Sequence, residues 1–318
     1  MGDDLILITE DLDAPAITQL GGKYRVVRDG ALWKDPAKLK DAIGDARAVM
    51  VRNQTPLTAE IIAAAPRLVA IGRVGVGLDN IDVRAASNAG VVVIAPLDAN
   101  ATSVAELALG LMLALARKIP LGDRSTKAGG WDRKGCTGLE LDGRTLALCG
   151  YGRIGRQVAA RAAAFGMRVV VFDPFADGPA KCERLEDALA QADFVSAHMP
   201  LTPETRHRFD AQTFNAMKRG AFFINTSRGG LVDEAALLAA LRDGHLGGAA
   251  LDVREVEPPA ARGELEKLDS VILTPHIGAF TAEAQTRTFE AVSADIDRVL
   301  SGEPAQNFVN FPEPRPES

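Results

Sequence analysis

Cysteine is scarce and scattered. The 318 residues contain three, Cys136, Cys149 and Cys182, widely spaced and with no C-x-x-C pair. Such a set implies a reducing compartment and argues against a zinc site. Positive charge is not in excess either. The formal net charge is −6, which gives no sign of nucleic-acid binding, so an anionic substrate would need a local basic pocket. Long apolar runs are missing: the longest, Leu107 to Ala116, is too short to span a bilayer. The start, Met1-Gly-Asp-Asp, is acidic, leads directly into a predicted strand and does not read as a signal peptide. These absences predict a cytoplasmic protein with no membrane or nucleic-acid partner. No H-E-x-x-H or other ligand spacing supports a metal, no Ser/His/Asp arrangement stands out, and no solenoid-type repeat is present.

What is present is the composition of a soluble enzyme, 47% hydrophobic and 25% charged, at a length that suggests two domains. The organising stretch is Thr145-Leu-Ala-Leu-Cys-Gly-Tyr-Gly-Arg-Ile-Gly155: a buried strand, a glycine turn and the start of a helix. Gly150, Gly152 and Gly155 make the spacing G-x-G-x-x-G. The first permits a sharp turn, the second lets backbone N–H groups approach a pyrophosphate, and the third lets the helix pack closely on the strand. The helix, predicted over Ile154 to Phe165, ends at Gly166, and its N-terminus offers N–H groups and a positive dipole end to phosphates. The following strand, Arg168–Asp173, ends in an acid 18 residues after Gly155. A carboxylate there accepts from adenosine ribose hydroxyls and repels a 2′-phosphate, which selects NAD over NADP. The plain alternative is a doubly wound domain with an empty or repurposed crevice.

Elsewhere strand and helix alternate. Strands are predicted at Leu5–Thr9, Tyr24–Val27, Ala48–Val51, Leu68–Ile71 and Val91–Ile94, with helices at Pro15–Leu20, Pro36–Ile43, Ala59–Ala64 and Val83–Ala89. One long helix is predicted from Ala101 to Leu121, a central core helix whose wide apolar surface also suits a dimer contact. Strands follow at Phe194–Ala197, Ala221–Asn225, Gly248–Val253 and Val271–Leu273. A helix over Ala282–Leu300 then returns to the first domain, and the proline-rich tail beyond Phe308 is expected to be extended or loose. The fold class is therefore α/β: a Rossmann dinucleotide-binding domain, residues 98–286, inserted into a flavodoxin-like α/β substrate domain, residues 1–97 and 287–318. Ligands of such sheets sit beyond the carboxyl ends of the strands, so catalysis is expected in the cleft between the domains.

Three late strand ends carry polar residues that are odd for core segments. Arg228 lies in Asn225-Thr-Ser-Arg-Gly-Gly230, Asp252 and Glu257 in Asp252-Val-Arg-Glu-Val-Glu-Pro258, and His276 in Thr274-Pro-His-Ile-Gly278. If the strands are neighbours, Arg228, Glu257 and His276 converge. Such a trio suits hydride transfer on a 2-hydroxy or 2-oxo acid: the guanidinium binds the carboxylate and polarises the carbonyl, the imidazole exchanges the hydroxyl proton, and the glutamate favours the imidazolium. Taken singly, Arg228 could be part of a structural anion nest, His276 a satisfied strand-end histidine and Glu257 a solvent-facing acid, and Glu255 competes with Glu257 by proximity.

Over nearly its whole length the chain resembles the D-isomer-specific 2-hydroxyacid dehydrogenases. The matching stretches are Gly75-Val-Gly-Leu-Asp-Asn-Ile-Asp82, Gly150–Gly155, His198-Met-Pro-Leu-Thr-Pro-Glu-Thr205, Asn225–Gly230, Asp252–Pro258 and Thr274–Gly278. The resemblance implies that Arg228, Glu257 and His276 are the catalytic set, since the family's glutamate directly precedes a proline. It implies that the amides of Val76 and Gly77 hold the substrate carboxylate. Gly150, Gly152, Arg153, Ile154, Gly155 and Asp173 would bind the pyrophosphate and ribose of NAD. His198, Pro200 and Thr205 would belong to the same cofactor site, with Thr226, Arg228, Asp252 and Gly278 on the nicotinamide side. Within the family the chain looks most like D-3-phosphoglycerate dehydrogenases, through Val51-Arg-Asn53, Asn100 and Trp131-Asp-Arg-Lys134. That likeness adds Arg52, Asn100, Arg133 and Lys134 as substrate residues, the loop pair reaching in from the other subunit of a homodimer. Many such enzymes carry a regulatory extension, whereas this sequence stops soon after its last predicted helix, and short relatives act on hydroxypyruvate, glyoxylate or other small acids. A non-catalytic, NAD-sensing corepressor shares the fold and the Arg/Glu/His set and is the rival from another class.

Overall fold

The structure is a computed structural model that describes residues 4–311. The chain divides into two compact units, one formed by the residues up to Asn100 together with those from Phe280 on, the other by Ala101–Ala279. Both are built on parallel sheets, as the alternation of elements predicts. Among the described residues no helix is long and apolar enough to cross a membrane.

The first unit holds β1 (Leu5–Ile8), β2 (Arg25–Arg28), β3 (Ala46–Val51), β4 (Ala70–Arg73) and β5 (Val92–Ile94), in the order β2-β1-β3-β4-β5. This is the flavodoxin-like order, with its reversal between β1 and β3. Strand periodicity divides the side chains between two cores. Leu5, Leu7, Val49 and Val51 face one, with Leu39, Ile43 and Ile61; Ile6, Ile8, Ala48 and Met50 face the other, with Ile17, Phe289, Val292 and Ile296. The helices of this unit are α1 (Pro15–Gly21), α2 (Pro36–Ile43), α3 (Ala59–Ala63), α4 (Val83–Asn88) and the late helix at Ala282–Leu300. That last helix lies so close to β4 that a Cβ on Gly72 would stand 2.7 Å from both Val292 and Ile296. The segment expected to be loose is clipped on: Val309 N–H donates to Val93 O, and Asn310 Oδ1 accepts from Val93 N–H. Residues 312–318, which hold the proline-rich part, lie outside the described residues.

The second unit begins with α5 (Ala101–Ala116). The single helix expected to run to Leu121 is instead broken: Lys118 takes a left-handed φ of 51° and a second helix, α6 (Ile119–Lys127), starts behind it. Pro120 gives the reason. It has no N–H to continue the α5 ladder and is tolerated in the first turn of a new helix. The sheet comprises β6 (Thr145–Cys149), β7 (Arg168–Phe172), β8 (Phe194–Ala197), β9 (Ala221–Asn225), β10 (Leu246–Leu251) and β11 (Val271–Leu273), ordered β11-β10-β9-β8-β6-β7. Beyond β7, Lys181 makes a one-residue parallel bridge to Val171. Counted as a vestigial third strand, it completes the Rossmann order, with the switch point between β6 and β8. Helices α7 (Arg153–Ala164), α8 (Leu185–Leu189), α9 (Ala211–Ala216) and α10 (Glu234–Arg242) complete the unit; the Ala282–Leu300 helix is α11.

At the switch point β8 runs into His198, whose N–H donates to Cys149 O. Its imidazole turns inward, sharing a 2.9 Å hydrogen bond with the fully buried Ser196, and burial pushes its pKa down to about 4. The folded protein therefore holds this ring neutral, while the unfolded chain protonates it near 6.5. The depressed pKa stabilises the fold fully above about 6.5 and progressively less as pH falls toward 4, a loss on the order of 3 kcal/mol. Urea midpoints measured from pH 7 to 4.5 should fall more steeply for the wild type than for His198→Gln; parallel curves would show that the ring is not held neutral.

Candidate active site

The glycine turn joins β6 to α7. Gly150 has φ +104°, and a Cβ on it would lie 2.6 Å from the carbonyl of His198. A Cβ on Gly155 would lie 2.3 Å from Gly150 O. Gly152, the N-cap of α7, is different: a Cβ there would meet nothing within 4 Å, and no side chain caps the helix. The first and third glycines are thus demanded by packing, whereas the second faces open space at the N-terminus of α7, where the chain runs on into Arg153 and Ile154. This fits a pyrophosphate. Two buried polar atoms on neighbouring strand ends, Thr226 Oγ1 and His198 Nδ1, lack a hydrogen-bond partner among the described residues.

Asp173 follows β7. Its Oδ2 accepts from Tyr151 N–H at 2.7 Å, and its Oδ1 from the N–H groups of Phe175 and Ala176 at 2.8 and 3.0 Å. A carboxylate has about four acceptor sites, so three are spent: one pins the glycine turn to the end of β7 through Tyr151, and two shape the turn after Asp173 itself. The capacity left for a ribose hydroxyl is smaller than the sequence alone implies. Thr205 is similarly occupied: its hydroxyl donates to Pro200 O and accepts from Thr202 N–H, each at 2.7 Å, which knots the loop after His198.

The strands β9, β10 and β11 are parallel neighbours, so the loops that follow them emerge at one edge. Asn225 shapes the first: its Oδ1 accepts from Ser227 N–H and its Nδ2 donates to Arg228 O. Arg228 Nη1 donates to Ser227 O. Asp252, at 1% exposure, organises the third loop. Its carboxylate accepts from Thr274 Oγ1 and from the N–H groups of Ile277 and Gly278, and its C=O accepts from His276 N–H. His276 sits there in a left-handed conformation, φ 55°. Its Nδ1 is hydrogen-bonded to Glu257 Oε2 at 2.7 Å, while Glu257 Oε1 accepts from Arg254 N–H at 2.8 Å. Burial would raise the Glu257 pKa, but the hydrogen bonds from His276 and the Arg254 N–H, with the charges of His276 and Arg228, hold it below the ordinary glutamate value. The pair can present an imidazole with one nitrogen fixed by a carboxylate and the other turned to its task. Glu255, the sequence rival of Glu257, instead bonds His207 at 2.7 Å.

The remaining substrate candidates are placed as follows. In the first unit, Val76 and Gly77 follow Gly75, which has φ +148°. Arg52 stacks on Phe280 at 4.2 Å and donates to Gln285. Its own segment is held by a carboxylate that sequence reasoning missed: buried Glu10 accepts from the N–H groups of Arg52, Gln54 and Thr55. Burial lowers the Arg52 pKa from its usual value. Asn100 has a buried Oδ1 without a partner among the described residues. Arg133 and Lys134 belong to the other unit, in an exposed loop whose backbone bonds are local: Arg133 N–H to Trp131 O and Thr137 N–H to Lys134 O. Sequence reasoning also passed over Arg254, which Glu234 and Glu266 grip at the foot of the Glu257 loop. No short-range spacing links these three.

Comparison with known proteins identifies the family. The profile of the D-isomer specific 2-hydroxyacid dehydrogenase NAD binding domain matches residues 109–278, more than half of the chain. A D-3-phosphoglycerate dehydrogenase of Methanocaldococcus jannaschii is 45% identical over 96% of this chain, which spans only 59% of that protein's length. A hydroxypyruvate reductase of Thermotoga maritima is 44% identical over 88% of this chain and 93% of its own. A solved Thermus thermophilus structure superposes with a TM-score of 0.90 at 37% identity, covering 96% of this chain and 99% of that one. The chain belongs to the D-isomer specific 2-hydroxyacid dehydrogenases.

Proposed function

We propose that this protein is an NAD-dependent D-2-hydroxyacid dehydrogenase acting on the CH–OH group of a small anionic acid. The observation that carries the reading is the 2.7 Å Glu257–His276 pair at the carboxyl edge of the dinucleotide-binding sheet. When bound, NAD supplies or accepts the hydride at C2 of the substrate. The protein's own groups do the rest. His276 takes the hydroxyl proton in oxidation and returns it in reduction. Glu257, ionised because its pKa is held low, stabilises the imidazolium and fixes the ring. Arg228 binds the carboxylate and polarises the C2 oxygen, and the Val76 and Gly77 amides complete the carboxylate site. The protein would act in the cytoplasm as a homodimer.

His276→Ala should lower kcat by roughly 10²-fold, the scale of a positioned proton-transfer group, with little change in NADH binding. Glu257→Gln should keep measurable activity but fail in the reductive direction at a pH lower by about one unit, since the imidazolium loses a charge-assisted hydrogen bond. An unchanged pH profile in Glu257→Gln would remove the glutamate from this role.

For the substrate, we propose a three-carbon acid with an anionic C3 group, phosphoglycerate first and a sulfonate of the same shape second. Arg52, Asn100, Arg133 and Lys134 would form its far-end site, the loop pair coming from the second subunit. Likeness to the M. jannaschii phosphoglycerate dehydrogenase supports this choice. The 44% identity to the T. maritima hydroxypyruvate reductase supports the runner-up, a hydroxypyruvate or glyoxylate reductase. Arg133→Ala combined with Lys134→Ala should raise KM for the anionic substrate and leave hydroxypyruvate nearly untouched. Added salt should do the same, because exposed charges are screened. Equal effects on both substrates, or a wild type that prefers the uncharged C3 group, would put the reductase reading ahead.

A further inference from the structure

The loop that presents Glu257 is only four residues long from Arg254, yet its hydrogen bonds reach well beyond the acid–base pair. Arg254 is an arginine with 14% of its side chain exposed. Its Nε and Nη2 donate to Glu234 Oε1 and Oε2, each at 2.9 Å, and its Nη1 donates to Glu266 Oε1 at 2.6 Å. Glu234 is the first residue of α10, and its Oε1 also accepts from Glu255 N–H at 2.9 Å. Glu266 lies in the short helical turn Leu265–Lys267 and accepts from Gly263 N–H. The backbone is confined as well: a Cβ on Gly229 would stand 1.7 Å from Arg254 O. Within this frame the Arg254 N–H points at Glu257 Oε1, whose other oxygen holds His276.

We propose that Arg254 is a positioning residue, clamped by Glu234 and Glu266 so that its backbone N–H aims the Glu257 carboxylate at His276. This inference rests on the dehydrogenase reading for its kinetic consequence only. A guanidinium fork held by two carboxylates from separate elements fixes a rotamer far better than one exposed ion pair does. The fixed N–H then performs two tasks. It restricts Glu257 to the orientation that meets Nδ1, and it favours the ionised carboxylate, since a donor to the charged form lowers the pKa. The charged groups facing Glu257 are His276, from the loop after β11, and Arg228, from the loop after β9. Those facing the clamp are Glu234 and Glu266, and His207 pins the adjoining Glu255.

The experiment measures kcat, KM for NADH and the pH profile in Glu234→Gln, Glu266→Gln, Arg254→Lys and Arg254→Ala, with hydrogen exchange at the Arg254 amide. Glu234→Gln should lower kcat roughly tenfold, the scale of a lost charge-assisted bond, with KM for NADH unchanged. The low-pH limb should move upward, because a poorly aimed N–H lets Glu257 protonate at higher pH. Glu266→Gln should do the same to a smaller extent, and Arg254→Lys should retain more kcat than Arg254→Ala. Folded variants with unchanged kcat and low-pH limb would overturn the proposal, as would kcat and NADH binding failing in step. If the wild type reduces no 2-oxo acid, the dehydrogenase reading fails by itself. The clamp is then decided by exchange alone: the Arg254 amide should exchange roughly tenfold faster in Glu234→Gln and in Glu257→Ala, and unchanged exchange would refute it.

Discussion

A carboxylate at 1% exposure, Asp252, is the point on which the placement of the proposed acid–base pair depends. Burying a charge is costly unless donors surround it. Here the Thr274 hydroxyl and the amides of Ile277 and Gly278 do so, and they all come from the loop that carries His276. Satisfying Asp252 therefore folds that loop. It also accounts for the left-handed backbone of His276, a conformation a non-glycine residue adopts only when its surroundings determine it. The family resemblance implied that Asp252 lines the nicotinamide. The structure shows that the side chain spends most of its acceptor capacity on positioning.

The same economy recurs around the sheet edge. Asp173 ties the glycine turn to β7, Asn225 shapes the Arg228 turn, and buried Glu10 gathers the Arg52 segment. Each is a polar side chain next to a residue proposed to touch ligand. Each is satisfied chiefly by backbone N–H and C=O groups, which gives it a fixed direction. Loops after parallel strands have no ladder partners of their own, so side-chain oxygens supply the missing bonds. Precision in the site thus comes from residues one contact removed from the chemistry.

Local sequence carried the fold a long way. The strand Phe194–Ala197 and the helix Ala282–Leu300 have the predicted bounds, because period-2 runs and a capped 3.6 pattern leave little choice. Gly150 and Gly155 were legible because each answers a local steric demand, whereas a Cβ on Gly152 would meet nothing within 4 Å. The break at Lys118 was missed although Pro120 was in view, since the apolar run through α5 outweighed one proline. Lys181, completing the Rossmann order with a single bridge, is too short to show any periodicity. Glu10 and Arg254 were illegible for another reason. Their partners lie 42 to 45 and 12 to 20 residues away, and only the folded chain brings such donors and acceptors together.

The central claim is hydride transfer to C2 with a proton supplied from His276 on a defined side. The direct measurement uses NADH deuterated at the transferring position, hydroxypyruvate or its 3-phosphate as the 2-oxo acid, and analysis of the product. The account predicts the D-hydroxy acid, with one deuterium at C2 and an unlabelled hydroxyl proton drawn from solvent. An L product, a product without deuterium at C2, or binding of NADH with no turnover of any small 2-oxo acid would contradict it.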